Sequence, residues 1–291
     1  MPVRNPRPLI ISAALLLAAS GSTLASAAPP KAGPSKAAKP AAPTVPKVKL
    51  DLPGLQKALE SGNSAEMVGA LETIGNSGDP AGAPLVEALL GRGADATVLS
   101  RAIETLGVLG QPSSGAALAP YAQHRTPELR RAALRALIAS KSPLAGDVLR
   151  RALRGNDASQ RGIAARGLGE LNVRAAVPEL LNVLPKDVPE AAQSLGQLCV
   201  GSECEKFTGM LGHLRFEIME SGMVPLLLRP QTDVPDEVKL RLIDKLRRMA
   251  TQPANQLIQS ALAKFPADGS PKVKLGLERA LKGFSVTEES P

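Results

Sequence analysis

The sequence predicts an all-α solenoid (superhelix) of stacked antiparallel helix pairs, and three observations carry that expectation. The 291 residues include no Trp, one Tyr and four Phe, whereas one large globular core usually takes its bulk from aromatic rings. Helix-forming residues dominate beyond residue 50, with no sustained apolar–polar alternation of the kind a strand shows. An apolar motif also recurs at intervals near 31 residues, the mark of a repeat architecture.

Taken in order, residues 1–27 read as a secretory signal peptide. Arg4 and Arg7 supply a short positive region, "LIISAALLLAA" from Leu9 the apolar segment, and Ala25–Ala27 a small-residue cleavage site. The apolar run is about half of the roughly 20 residues a spanning helix needs. Export by a Sec-type signal follows, to the periplasm or beyond the cell, with no integral membrane span after cleavage. Residues 28–50 form a Lys/Pro/Ala-rich linker; Ala28–Lys49 holds six prolines, five lysines and no acid. Such a segment is an extended spacer, or a contact to cell-wall polymer or another anionic surface. Without Arg4, Arg7 and those five lysines, 28 basic residues face 27 acids. The basic excess therefore lies outside the folded part, and the expected partner is a protein, not nucleic acid.

The solenoid is expected over residues 51–284, with a disordered tail at 285–291. Alanines recur at Ala70, Ala102, Ala133, Ala164 and Ala191. Four residues after each stands Ile74, Leu106, Leu137, Leu168 or Leu195, and twelve further on Val86, Leu118, Leu149, Leu180 or Phe207. Residues i and i+4 share one helical face, so the alanine admits a neighbouring helix and the aliphatic fills the gap beside it. Breakers stand between the helices: Gly78 and Pro80, Gly110 and Pro112, Pro143, Pro253. A sixth unit is expected with Leu242 in place of the alanine, then Leu246 and Ile258. A lone hairpin cannot cover its own apolar face, so about six of them must stack.

The units "TVLSRAIETLGVLGQPSSGAALAPYAQ" and "PELRRAALRALIASKSPLAGDVLRRAL" resemble HEAT repeats, and most closely the short variety called PBS-lyase HEAT-like repeats. The resemblance spans Ser64 to Phe284 and implies an armadillo-like helical scaffold for protein–protein interaction. Some members are enzymes. Bilin lyases share the repeat, but act on cytoplasmic pigment carriers. The deoxyhypusine hydroxylases bind iron through repeated His-Glu pairs, and here Arg125 follows His124 and Leu214 follows His213.

The fifth unit departs from the pattern. Its turn, "LCVGSECEKF", holds both cysteines, Cys199 and Cys204, which in an exported chain read as a local disulfide. A redox pair would have two intervening residues, not four, and a zinc site would need more ligands than His213 adds. Residues 210–235 read as an irregular insertion. Phe207, just before it, and Met210, Phe216, Met219 and Met223 within it would either fill the void of imperfect stacking or form an adaptable partner surface.

Charge is uneven as well. Arg125 to Arg174 carries 11 basic residues against four acids. Arg130, Arg131, Arg135, Arg150, Arg151, Arg154, Arg161 and Arg166 would line up as a docking strip for an acidic partner, or as solvated faces paired with neighbouring units. No catalytic, cofactor-binding or metal-ligating constellation is legible. The function expected is an exported, non-enzymatic scaffold that binds a protein. The alternatives are a HEAT-like lyase or accessory subunit of an envelope enzyme, and a structural protein held to cell-wall polymer through the linker.

Overall fold

The computed structural model describes residues 50–288, with side chains through Gly283. The signal and the linker up to Lys49 lie outside the described residues. Among those residues there are fifteen α-helices: α1 (Leu52–Glu60), α2 (Ser64–Ser77), α3 (Ala83–Arg92), α4 (Ala96–Leu109), α5 (Gly115–Leu118), α6 (Pro127–Ala139), α7 (Ala145–Ala152), α8 (Ala158–Glu170), α9 (Val177–Val183), α10 (Pro189–Leu198), α11 (Ser202–Gly209), α12 (Phe216–Leu228), α13 (Asp236–Met249), α14 (Gln252–Ala263) and α15 (Pro271–Glu288). Short 3-10 turns extend α5 and α9, and no strand forms among the described residues. The last helix runs to Glu288, so the expected boundary at 284 and part of the tail at 285–291 fall within it.

The helices form the two layers of an α-solenoid. Even-numbered helices α2 to α14 pack each on the next, and odd-numbered helices fill the other layer, ending with α13 against α15. Local chemistry punctuates the chain. Asp95 caps α4, accepting from the Thr97 and Val98 amides at 2.9 and 3.0 Å, and Asp157 caps α8 through the Gln160 amide. Gly78 and Gly110 close α2 and α4 in the left-handed conformation (φ 61° and 63°). Lys141 and Asn172 hold the same geometry at the same repeat position after α6 and α8 (φ 50° and 54°).

The repeat positions read from the sequence are the core. Ala102, Ala133, Ala164 and Ala191 on the even helices are fully buried, as are Ile74, Leu106, Leu137, Leu168 and Leu195 one turn on. The residues twelve further, Val86, Leu118, Leu149, Leu180 and Phe207, are fully buried too. Each large aliphatic stabilises the stack by roughly 1.5–3 kcal/mol.

Two expectations about the C-terminal half are corrected. Residues 210–235 contain α12, a regular even-layer helix between α10 and α14, where an insertion was expected. Gly222 stands 31 residues after Ala191, at the alanine position, with Leu226 four residues on and Val238 twelve beyond that, all buried. A Cβ on Gly222 would collide with the Ala192 carbonyl, and one on Gly196 with the Gly222 carbonyl, so the α10 and α12 backbones lie in direct contact. Here the repeat tolerates only the smallest residue. The true sixth unit is therefore α12–α13, and the seventh continues at Ala254 and Ile258 on α14. Leu242 and Leu246 are buried but sit on α13, in the other layer.

Candidate functional site

The eight arginines singled out above do not form one strip. Arg130, Arg131, Arg135, Arg161 and Arg166 belong to α6 and α8 in the even layer, whereas Arg150, Arg151 and Arg154 belong to α7 and the turn after it. Five of the eight serve the array itself. The Arg130 guanidinium donates to the His124 carbonyl at 2.9 Å and to Gln160 Oε1 at 3.2 Å, and lies 3.7 Å from Asp157, the α8 cap. Arg131 pairs with Glu128 at 2.9 Å. Arg161 donates to the Gly155 carbonyl at 3.0 Å. Arg150 reaches from α7 to Glu179 on α9, its Nε donating at 2.9 Å and a terminal nitrogen at 2.5 Å. Burial raises the Glu179 carboxyl, but the Arg150 hydrogen bond and charge, with a backbone hydrogen bond and the nearby Arg154 charge, outweigh it and hold the group below its ordinary range.

This is a general device of the molecule. Arg101 with Glu72 (3.5 Å), Arg166 with Glu190 (3.8 Å) and Arg241 with Glu205 (2.5 Å) also tie one unit to the next. Arg135, Arg151 and Arg154 are exposed and make no ion pair among the described residues.

The Phe and Met candidates are core. Phe207, Met219 and Met223 are fully buried, while Met210 and Phe216 are half-buried and packed against the same core. The Phe207 ring comes within 2.8 Å of where a Gly222 Cβ would stand, so it fills the space behind the close α10–α12 contact. Cys199 and Cys204 are joined in a disulfide and fully buried. The loop they close is held by Arg229, which donates to the Cys199 carbonyl and pairs with Asp233 at 3.0 Å; the Gly201 amide donates to the Asp233 carbonyl at 3.1 Å.

Two surface features were not legible in the composition. The first is a row at one repeat position: Glu72, Glu104, Arg135, Arg166 and Gln193, each two residues past its buried alanine and each exposed. Between α4 and α6 this row borders a groove of about 330 Å3 lined by Gly107, Val108, Ala132, Arg135, Ala136 and Ala139, together with Glu104. Val108 is 70 % exposed. Arg101 lies 3.4 Å from Glu104, which leaves Arg135 as the uncompensated charge of the groove. The signal was present as the period of the exposed positions, which a search for apolar residues passes over.

The second is a cleft of about 760 Å3 where the α12–α13 connection meets the start of α15. Lys239 and Asp236 line it, 2 % and 4 % exposed. In "DEVKLRLIDKLRRM" Lys239 occupies a position in phase with Ile243 and Leu246, a lysine on an apolar face, which was the available hint. His124 stacks on Tyr121 with ring centroids 5.9 Å apart, and the Tyr121 hydroxyl donates to the Leu90 carbonyl at 2.7 Å. Among the described residues no group of three or more His, Cys, Asp or Glu stands together to hold a metal, and no helix is long and apolar enough to cross a membrane.

Comparison with known proteins bears on the family. Residues 83–162 match the family described as HEAT repeats. The chain carries HEAT repeats. Solved structures similar to this chain include the following. A homology model of the full-length AP-3 complex in an intermediate open conformation is 14 % identical, over 79 % of this chain and 50 % of that one, with a TM-score of 0.51. The complex of CpcE and CpcF of phycocyanin lyase from Nostoc sp. is 15 % identical, over 83 % of this chain and 97 % of that one, with a TM-score of 0.46. An engineered protein is 18 % identical, over 79 % and 77 %, with a TM-score of 0.47. No curated protein sequence matches the chain. The HEAT array is a repeat scaffold.

Proposed function

We propose that this protein is an exported, non-enzymatic HEAT-repeat scaffold that binds an acidic, partly apolar segment of another protein along the even-numbered helices. One observation carries the reading: the groove between α4 and α6, where the exposed Val108 side chain and the unpaired Arg135 stand together over a floor of Gly107, Ala132 and Ala136. An apolar residue of the partner would rest on Val108, and its carboxylate would take the Arg135 guanidinium, with Arg166 next in the row. The sequence of residues 1–27 supports export, and residues 28–49 supply a spacer between the site of anchoring or cleavage and the array.

Crosslinking and pull-down from native envelope fractions tests this. Arg135→Glu with Arg166→Glu is expected to abolish capture of the partner that the unaltered protein retains. Arg151→Glu with Arg154→Glu, in the other layer, is expected to leave capture intact. All variants should melt together, since three of these arginines make no ion pair and the Arg166 pair is long and exposed. Equal capture by both double variants overturns the assignment of the face.

A further inference from the structure

The cleft between the α12–α13 connection and α15 holds charge that packing alone does not require. Among the described residues the buried side chains are apolar or neutral except here, where a lysine and an aspartate are buried three residues apart on one helix. Burying either group carries a desolvation cost that only good partners offset. Lys239 donates to the Arg229 carbonyl at the end of α12, which uses one of its three N–H groups. Burial lowers the pKa of its ammonium, and nearby Asp236 counters part of that effect.

Asp236 is less well served. Its Oδ2 accepts from the Ser270 hydroxyl at 2.5 Å, but its Oδ1 is buried and has no hydrogen-bond partner. Asp236 and Lys239 form no ion pair, so the aspartate charge offsets only part of the cost of burying the lysine. Both line the cleft, together with Arg229, which is paired with Asp233, exposed Asp268, exposed Lys272 in the first turn of α15 and an apolar wall of Phe265 and Pro266. Its size falls in the roughly 300–1,000 Å3 range of small-ligand sites.

We propose that this cleft binds the free carboxyl end of a peptide chain. A carboxyl-terminal residue offers three features at the required chemistry: a backbone N–H donor, a carboxylate beside it, and a side chain. The N–H meets the unpartnered Asp236 Oδ1. The carboxylate meets the Lys239 and Lys272 ammonium groups at the start of α15, where helix polarity also favours an anion. The side chain lies on Phe265 and Pro266. A bare anion would leave Asp236 unanswered, and a bare amine would leave the lysines unanswered. The site is separate from the α4–α6 groove, and each reading stands without the other.

The test uses the whole folded chain and a pool of N-acetylated pentapeptides with free carboxyl ends, alongside the same pool with amidated ends. Affinity selection followed by calorimetric titration of retained sequences reads the result. The free-acid pool is expected to bind one peptide per chain, and its amides at least about tenfold more weakly, the size of one lost charge-assisted hydrogen bond. Asp236→Asn and Lys272→Glu are each expected to weaken binding by a similar factor. Lys272 is exposed, so that variant reads the site with the fold unchanged, whatever Asp236→Asn does to stability. Equal retention of the two pools, retention of neither, or binding unaffected by Lys272→Glu overturns the proposal.

Discussion

At the residue scale the decisive choice is between alanine and glycine. Along the even layer a methyl group is the spacer between successive helices, from Ala102 to Ala191. At α12 even a methyl is too large, because the Ala192 carbonyl already stands where the Gly222 Cβ would be. Gly222→Ala is therefore expected to destabilise the fold by about 1–3 kcal/mol through overpacking. Gly69 offers the opposite case: it is exposed inside α2 and nothing lies within 4 Å of a Cβ there. Gly69→Ala is expected to stabilise by about 0.4–1 kcal/mol by restricting the unfolded chain. Urea denaturation of the two variants side by side checks both signs. The repeat was legible wherever alanine kept its place and was lost at Gly222. A search keyed to alanine cannot see that a closer approach requires a smaller residue.

At the scale of the element, the turns and ion pairs set how units join. The Cys199–Cys204 loop ends α10 and starts α11, and Arg229 and Asp233 fasten it to the α12–α13 connection. Closing a loop this short contributes about 2 kcal/mol on the chain-entropy estimate. Cys199→Ser with Cys204→Ser is expected to lower stability by about that amount, read from the urea midpoint at unchanged slope. A loss near zero would mean that the Arg229 and Asp233 bonds hold the turn unaided. The candidate site was only half legible at this scale. Counting charge found the arginine-rich region, but a count cannot show that Arg150 is spent on Glu179, 29 residues away. Nor could composition separate Phe207 and Met219, which fill the core, from a patch open to a partner.

At the scale of the folded unit each hairpin is sheltered only by its neighbours. The last helix shows this directly: Val273, Leu277 and Ala280 of α15 are buried, and α15 packs on both α13 and α14. Removing residues 270–291 takes away that cover and the Ser270–Asp236 closure beside it. In a one-dimensional array the damage should stay local. Hydrogen exchange of the truncated chain is expected to show lost amide protection across α13 and α14 and retained protection from α4 to α10. Loss spread evenly over all helices would mean that the array folds as one cooperative block.

By itself the sequence determined the helical class, the 31-residue period and three buried positions in each of the first five units, because i and i+4 spacing is set by the geometry of one helix. Tertiary structure decided the rest. Which layer Arg135 and Arg151 occupy, which arginines are already paired, that 210–235 is a full unit, and that Asp236 and Lys239 meet at one cleft all depend on contacts between residues about thirty or more positions apart or on different helices. A local pattern records which face of a helix is apolar; only packing determines what comes to lie against it.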